Sequence, residues 1–396
     1  MKNRVKSGLD VLYGDKGLQD SFKGNVALLC HNASVDGELV HATYRFEDIF
    51  GERFVKIFGP QHGFSTDAQD NMIETDHTVH PYFNVPVYSL YSETRVPTDE
   101  MLEGIDHLFV DMQDVGCRMY TYIYTLTLLL EKCASKDIEV IVLDRPNPLN
   151  GIDLEGNLLD MNFASFIGLH PIPVRHGMTI GEVAEMHQKY WVSEKANMRV
   201  IKMQGWSREM YYEDTGLPWL LPSPNIPRID STFTFPATVV FEGTELSEGR
   251  GTTQSLEIVG DPKIEPYSYY KKHLSKAMRD TGLKGFALRP ITFLPTFQKH
   301  ADRPCGGFQV HVIDRKTFTP WKVGQVLMRE LYRHLGDEFQ WKEPPYEYDY
   351  ENMPIDIING SDRLRHWVEK DGSLEALKEM EQYESYIDDF DSIKLY

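Results

Sequence analysis

Short apolar runs alternate with helical patterns through the first half of the chain. The pattern predicts strands in "NVALLCHNAS", "RFVKIFGPQHGF", "HLFVDMQDVG" and "EVIVLDRPNP", and a sheet-covering helix in "YTYIYTLTLLLEKCASK". This alternation is typical of an α/β domain with a mainly parallel sheet. In such a sheet the loops after the strands form the ligand crevice, so "HNASVD", "PQHGF", "MQDVGCR" and "DRPNPLNG" are expected to meet there.

The pattern changes near Pro222. The stretch "PSPNIPRID" contains too much proline for a helix or a central strand and is predicted to be a linker or a rigid loop. Beyond it, "TFTFPATVVFEGTELSEGRGTT" and "GGFQVHVIDR" are predicted as strands and "PWKVGQVLMRELYRHLG" as an amphipathic helix. We therefore predict two domains, an α/β domain over residues 1–228 and a smaller α+β domain over residues 229–396.

Composition narrows the classes of function. The chain has 41 basic and 60 acidic residues, a net charge of −19, which argues against a nucleic-acid partner. The acidic C-terminal runs "EPPYEYDYEN" and "EQYESYIDDFD" are interpreted as a solvated face and are assigned no chemistry. The four cysteines are dispersed, so neither a disulfide framework nor a structural zinc site is indicated.

Several motifs are missing from the sequence. No G-x-G-x-x-G follows the first strand, and neither G-x-x-x-x-G-K-[ST] nor G-x-S-x-G occurs, so no nucleotide cofactor or serine nucleophile is expected. No run of about eighteen apolar residues is present, so no membrane span is expected. The N-terminus lacks an apolar signal segment, which indicates a cytoplasmic protein, or a periplasmic one if a signal peptide had been removed. The sequence does not determine the oligomeric state.

Polar side chains crowd the end of the third predicted strand. In "DMQDVGCRMYTY", Asp111, Gln113 and Asp114 end the strand, and Arg118 and Tyr120 follow. These groups could pair among themselves, as Asp114 with Arg118, and pin the loop. Alternatively, they could bind sugar hydroxyls or shift the pKa of a carboxyl group.

Two other loops carry candidate groups. "FGPQHGF" presents Gln61 and His62, although a histidine in a turn is more often a hydrogen-bonded loop residue than a catalyst. In "SLYSETRVPTDEML", Thr98 is predicted to cap a helix that begins near Asp99, whereas Glu93 has no evident structural job.

The stretch "VRHGMTIGEVAEMH" places Arg175 and His176 just before a predicted helix. Thr179 is expected to cap that helix, and Glu182 completes a capping box. From this position, Arg175 and His176 are predicted to face the crevice.

The segments "FEGTEL" and "SEGRGTT" lie in tandem. They combine Glu242, Glu248 and Arg250 with glycines at 249 and 251, which permit a tight backbone. Their spacing fits either a hairpin turn or half of an active site, and sequence alone leaves both open.

Six ordered blocks resemble one known family. They are "SLYSETRVPTDEMLEGIDHLFVDMQDVGCRMYTYIYTL", "VLDRPNPLNG", "IPVRHGMTIGEVA", "LPWLLPSPNIP", "FEGTELSEGRGTT" and "FLPTFQKHADRPCGGFQVHV". From about Gly8 to the C-terminus the chain is similar to the bacterial exo-β-N-acetylmuramidases (NamZ-like, glycoside hydrolase family 171, formerly a domain of unknown function). The resemblance implies a Rossmann-like N-terminal domain, an interdomain site, no cofactor or metal, and release of N-acetylmuramic acid from non-reducing ends of peptidoglycan fragments.

The resemblance also transfers residues by position: Asp114, Arg118, Tyr120, Tyr122, His176, Asn225, Glu242, Glu248 and Arg250. Combined with the loop analysis, it predicts five catalytic candidates: His62, Glu93, Asp114, Glu242 and Glu248. The predicted substrate-binding residues are Asn32, Gln61, Asp111, Arg118, Tyr120, Tyr122, Arg175, His176, Asn225 and Arg250. A lactyl carboxylate on the sugar would need a cation, for which Arg118, Arg175 and Arg250 are the candidates.

The chain departs from the family pattern at Gln61, because relatives usually have "PEHG" where this sequence has "PQHG". With position 61 neutral, a carboxyl pair must come from Glu93, Asp111, Asp114, Glu242 or Glu248. Alternatively the substrate's own 2-acetamido group attacks C1 and Gln61 orients it, a scheme favoured here because it tolerates the substitution. The same departure leads to an alternative hypothesis, in which the protein is a catalytically silent or altered paralogue that binds cell-wall amino sugars. A structural α/β protein would require the polar loops to face different sides.

Overall fold

The computed structural model describes residues 4–70 and 73–396, and its larger sheet has seven strands. These are β1 Val26–Cys30, β2 Phe54–Gly59, β3 Thr78–Val79, β4 Pro86–Ser89, β5 His107–Asp111, β6 Glu139–Leu143 and β7 Asn197–Ile201. They lie in the order β3-β4-β2-β1-β5-β6-β7, and every neighbouring pair is parallel except β3 with β4. The six parallel strands thus follow the dinucleotide-binding order 3-2-1-4-5-6, which confirms the predicted Rossmann-like α/β fold.

The central strands are apolar without interruption because helices cover both faces of the sheet. All five residues of β1 are buried, and β5 and β6 are buried over their last four. β1 lies between β2 and β5, with Cys30 paired to Asp111. The four predicted strands are therefore confirmed, and the loops after β2, β1, β5 and β6 emerge side by side at one edge.

Fourteen α-helices occur in the described residues. They are α1 Gly8–Gly14, α2 Lys16–Ser21, α3 Ala42–Phe50, α4 Asp99–Leu102, α5 Tyr122–Cys133, α6 Ile180–Met186, α7 Ile229–Thr238, α8 Pro266–Tyr269, α9 Ser275–Asp280, α10 Pro320–Leu335, α11 Pro354–Asn359, α12 Arg363–Glu369, α13 Leu374–Lys378 and α14 Glu384–Asp391. The predicted caps are confirmed: Thr98 accepts from the N–H of Met101, and Thr179 forms a capping box with Glu182. Within the described ranges no helix has the length and apolarity needed to cross a membrane.

The second sheet has three antiparallel strands in the order β8-β10-β9: β8 Ile258–Asp261, β9 Phe286–Phe293 and β10 Cys305–Val312. The strand predicted in "GGFQVHVIDR" and the helix predicted from Pro320 are confirmed as β10 and α10. The strands predicted in "TFTFPATVVFEGTELSEGRGTT" are wrong, because this segment forms most of α7, the 3₁₀ turn Val239–Gly243 and then turns with isolated bridges at Thr244 and Ser247.

Tertiary packing explains that error. Residues 231–238 of α7 are all buried, so the alternation of threonine and phenylalanine does not mark an exposed and a hidden face. The hydroxyls of Thr234 and Thr238 both donate to the carbonyl of Leu256 at 2.7 Å. Burial on every side, with hydroxyls satisfied by a neighbouring loop, overrides the strand propensity of the side chains.

The C-terminal segment crosses back to the larger sheet. Tyr386 and Phe390 of α14 pack in one apolar cluster with Ile172 and Met178. Tyr396 donates its hydroxyl to Asp144, which follows β6, at 2.7 Å. The chain end is therefore anchored on the N-terminal region, while the predicted boundary between residues 228 and 229 stays a prediction.

The close approach of α10 to α7 yields a stability prediction. A Cβ at Gly324 would overlap the backbone oxygen and Cα of Ala237. Because overpacking a close-packed core forces backbone shifts, Gly324→Ala should lower the free energy of unfolding by about 1–3 kcal/mol. Gly14 ends α1 with no atom near its missing Cβ, so Gly14→Ala is the matched control. Urea denaturation that found both variants as stable as the wild type would contradict the packing of these helices.

Candidate active site

A narrow pocket lies where the loops after β2 and β5 meet the C-terminal part of the chain. Five segments contribute its polar lining: Gln61 and His62 after β2, Tyr120 and Thr121 before α5, Ser223 and Asn225 in the proline-rich loop, Glu242 with Arg250, and Tyr346 with Glu347. Of the predicted site residues, the structure brings six together in this lining: Gln61, His62, Tyr120, Asn225, Glu242 and Arg250.

The side chain of Gln61 is held by Thr121, the residue just before α5. The hydroxyl of Thr121 donates to Gln61 Oε1 at 2.6 Å, and both side chains line the pocket. Gln61 Nε2 has no hydrogen-bond partner within residues 4–70 and 73–396. The amide nitrogen is therefore available to a ligand oxygen, as the donor capacity of a glutamine allows.

His62 adopts a left-handed backbone, with φ of 71°, and both of its ring nitrogens are occupied. Nδ1 donates to the carbonyl of Ala68 at 2.8 Å, so Nε2 accepts from the hydroxyl of Ser223 at 3.1 Å. Burial lowers the pKa of His62 to about 4, against the hydrogen bond to Ala68, and the charge of Arg250 lowers it further. His62 is thus neutral at pH 7 and tethers the proline-rich loop.

Two tyrosines and an asparagine fix the same proline-rich loop. Tyr120 and Tyr122 donate their hydroxyls to the carbonyl of Pro222 at 2.8 and 2.7 Å. Asn225 donates from Nδ2 to the carbonyl of Gln69 at 2.5 Å. These polar groups already hydrogen-bond within the protein, so Tyr120 and Asn225 contribute to the shape of the pocket wall.

Glu242 provides the pocket with an ionised carboxyl. It accepts from Arg250 Nη2 and, at 2.7 Å, from the hydroxyl of Tyr346. Burial alone would raise the pKa of Glu242, but the charge and hydrogen bond of Arg250, together with Tyr346, hold it below its ordinary value. Glu242 is therefore a carboxylate at neutral pH.

The segment "SEGRGTT" places Arg250 between two carboxylates. Arg250 Nε lies 3.1 Å from Glu248 Oε1, and Lys299 Nζ lies 2.9 Å from Glu248 Oε2. Gly249 and Gly251 have φ of 81° and 78°, the left-handed conformation that glycine adopts without strain. Glu248 thus lies behind Arg250 and outside the lining, so the turn is part of the site through Arg250.

Glu347 is the pocket residue that the sequence analysis missed. It lies in "EPPYEYDYEN", which was interpreted as a solvated face, yet its side chain is buried and lines the pocket. Burial and the charge of Glu242 raise the pKa of Glu347 to about 7, against the opposing effects of Arg95 and Tyr91. The sequence signal that could have indicated this residue is the alternation of acidic residues with tyrosines in this run, because a solvated face does not need aromatic side chains.

Asp114 and His176 form a buried pair behind the lining. His176 Nε2 lies 3.4 Å from Asp114 Oδ2, which also accepts from the N–H of Gly116 at 2.7 Å. Asp114 Oδ1 has no hydrogen-bond partner in the part of the chain that the structure describes. The structure does not bring this pair into the pocket lining, although both residues are predicted for the site.

Two predicted binding residues hold the fold together. Asp111 forms a buried, bidentate ion pair with Arg145, at 2.5 and 2.8 Å. Arg118 donates to the carbonyls of Asn157, Ile172 and Asn359, which corrects the predicted alternative of an Asp114–Arg118 pair. Neither group reaches the pocket, because backbone and ion-pair partners use the polar atoms.

Three further predicted residues also lie away from the pocket. Arg175 donates to the carbonyl of Leu149 and lies beside Asp153, so it does not face the crevice as predicted. The side chain of Glu93 is 77% exposed, with His77 at 3.7 Å. Asn32 is exposed, and its N–H donates to the hydroxyl of Thr66. A strand-end position in the sequence does not decide where a side chain points.

Metal ligation has no obvious place in the described residues. Between residues 4 and 70 and between 73 and 396, no three His, Cys, Asp or Glu side chains are grouped as a metal site. The four cysteines are free and buried. The expectation that the protein needs no cofactor stays a prediction.

Family profiles, a curated relative and solved structures all match this chain over most or all of its length. The family profiles described as exo-beta-N-acetylmuramidase NamZ, N-terminal and C-terminal, match residues 26–230 and 233–396. The peptidoglycan beta-N-acetylmuramidase NamZ of Bacillus subtilis (strain 168) is 38% identical over 98% of this chain and 90% of its own. Two crystal structures of DUF1343 family proteins from Bacteroides fragilis NCTC 9343 are similar: one at a TM-score of 0.84 and 30% identity over 100% of both chains, and one with the same fold at 0.73 and 24% over 99% of both.

The buried charge cluster yields a pH-dependent stability prediction. Arg250→Met leaves Glu242 and Glu248 buried without their shared cation, which should cost about 3–5 kcal/mol of unfolding free energy at pH 7. Since the pKa of Glu242 is depressed in the folded protein, its pairing stabilises above the unfolded-state pKa and is lost as pH falls through the folded one. The deficit should therefore shrink below about pH 4.3.

Urea denaturation at pH 7 and pH 4 measures this deficit. Arg289→Met removes an exposed arginine and serves as the control. A deficit at pH 7 no larger than the control's would contradict the proposed energetic role of the cluster.

Proposed function

The chain belongs to the exo-β-N-acetylmuramidase NamZ family, and we propose that it is a glycoside hydrolase that releases N-acetylmuramic acid from non-reducing ends of peptidoglycan fragments. The observation that carries the proposal is one buried pocket that presents the carboxylate of Glu242, the guanidinium of Arg250 and the side-chain amide of Gln61 together. A muramyl residue has three groups to match: an anomeric carbon, a lactyl carboxylate and an acetamido group.

Arg250 supports recognition of the lactyl carboxylate. It is the arginine that lines the pocket among the three cations predicted for this role. Its Nη1 is buried without a hydrogen-bond partner in the described residues, while Nη2 is engaged with Glu242. A ligand carboxylate at Nη1 would gain a charge-assisted hydrogen bond that a glucosaminyl sugar cannot make.

Gln61 supports recognition of the sugar's acetamido group or a neighbouring hydroxyl. Thr121 fixes one end of the side-chain amide, which leaves the other end to a ligand. A glutamine cannot exchange a proton at this position, so acid–base chemistry falls to carboxyl groups elsewhere. Of the carboxyl groups predicted from the sequence, Glu242 lines the pocket, whereas Glu93, Asp111, Asp114 and Glu248 lie outside the lining.

Turnover of a chromogenic N-acetylmuramide tests the activity. The wild type is expected to hydrolyse it, because Gln61 serves binding and not proton transfer. Glu242→Gln should abolish turnover and controls for a contaminating hydrolase, since it replaces the pocket carboxylate with a neutral group of the same shape. An inactive wild type that gained activity as Gln61→Glu would contradict the proposal and favour an altered paralogue that binds amino sugars.

Selectivity for the lactyl group gives a second prediction. Arg250→Lys keeps a positive charge near Glu242 but loses the planar guanidinium fork. We expect kcat/KM for a muramide to fall about 10- to 100-fold more than for the matching glucosaminide, the worth of one hydrogen bond to a charged group. Arg289→Lys is the control. Equal losses on both glycosides would remove Arg250 from lactyl recognition.

A further inference from the structure

We infer that Glu347, which lines the same pocket as the carboxylate of Glu242, is the general acid of this hydrolase and protonates the glycosidic oxygen of the leaving group. This inference rests on the proposed activity and deepens it. It assigns the acid to a residue in the acidic C-terminal run, to which the sequence analysis gave no chemistry.

The position of Glu347 suits that role. Its side chain lines the pocket and is only 6% exposed, although its neighbours Glu343 and Tyr348 are exposed. In the described residues its side chain accepts one hydrogen bond, a long one from the hydroxyl of Tyr91 at 3.5 Å. A carboxyl group so loosely held keeps its proton available for transfer to a substrate.

The backbone at this point carries strain. Glu347 and Tyr348 have φ of 47° and 65°, a left-handed pair without glycine. Such a conformation persists only where its surroundings impose it, as commonly happens in active sites. The strained pair turns the glutamate inward while the following tyrosine remains outside.

Arg95 fastens this loop to the N-terminal region. Its guanidinium lies 3.9 Å from the ring centre of Tyr91 and 4.9 Å from that of Tyr348, and it donates to the Tyr348 hydroxyl at 2.8 Å. Tyr348 in turn donates to Glu74 at 2.9 Å. Glu347 is thus positioned from both sides, by its own segment and by the loop after β4.

The two pocket carboxyls have different electrostatic surroundings. Glu242 has a cation and a hydroxyl in hydrogen-bond contact, whereas no arginine or lysine hydrogen-bonds to Glu347 in the described residues. The charged or titratable groups that face Glu347 are Glu242, Tyr91, Tyr346 and Arg95, with His62 and Arg250 across the pocket. Environments that push two carboxyl pKa values apart define an acid and a base.

The step balances as hydrolysis. The Glu347 proton moves to the glycosidic oxygen while the bond from C1 to that oxygen breaks, and the bonding electron pair leaves with the alcohol. Positive charge that develops at C1 lies beside the carboxylate of Glu242. Water then adds its hydroxyl to C1, and its remaining proton restores Glu347.

Glu347→Gln on two substrates tests the inference. For a muramyl disaccharide, whose sugar leaving group needs protonation, we expect kcat/KM to fall on the order of 10²–10⁴-fold. For a 4-nitrophenyl muramide, which leaves as a stable anion, we expect a loss below about 10-fold. The wild-type rate on the disaccharide should also fall as pH rises through about 7, where the acid loses its proton. That limb should be absent in Glu347→Gln and retained in Glu347→Asp.

Glu343→Gln removes an exposed carboxyl from the same segment and is the matched control. Equal losses on both substrates, or an undiminished rate on the disaccharide, would overturn the role of Glu347 while the hydrolase activity stands. A wild type without turnover of either substrate would overturn the proposed function and, with it, this inference. Thermal unfolding of each variant shows whether a loss of activity comes from misfolding. If Glu347→Gln does not fold, Glu347→Asp decides the question: it must lose more activity on the disaccharide than on the 4-nitrophenyl muramide, and its rate must still fall as pH rises.

Discussion

The burial of Arg250 between Glu242 and Glu248 is the constraint on which the pocket depends. Burying a guanidinium removes it from water, and the two carboxylates close to Arg250 offset that desolvation. Four parts of the chain meet around this ion-pair cluster: the 3₁₀ turn after α7, the glycine-flanked turn that carries Arg250, the loop that supplies Lys299, and the hydroxyl of Tyr346. The wall of the pocket is thus assembled around one cation.

The same cluster produces the asymmetry of the pocket. The positive charge of Arg250 stabilises the negative charge of Glu242, so this carboxyl group remains ionised although it is buried. Glu347 lacks a comparable contact, so burial and the nearby carboxylate favour its protonated form. The pKa values of the two pocket glutamates are therefore shifted in opposite directions. This supports a two-carboxyl scheme that works with a neutral residue at position 61, whereas the sequence alone favoured substrate assistance.

Much of the fold was predictable because its signals are local. β1, β5 and β6 are largely apolar runs, β2 is interrupted only by Lys56, and their parallel pairing follows from the helices between them. Thr98 and Thr179 marked helix starts through capping, which involves only neighbouring residues. The segment of α7 was predicted wrongly, because its conformation depends on distant partners that satisfy its threonines and cover it on all sides.

The sequence by itself determined the α/β architecture, the family and the segments that supply the pocket, because each of these is recorded in local patterns and ordered motifs. Only the tertiary structure decided which polar groups face the pocket. Asp111 and Arg118 meet buried partners far away in the chain, while Glu347 is turned inward from an acidic run. A side chain's direction and pKa depend on groups brought near by folding, and neither spacing nor composition contains that information.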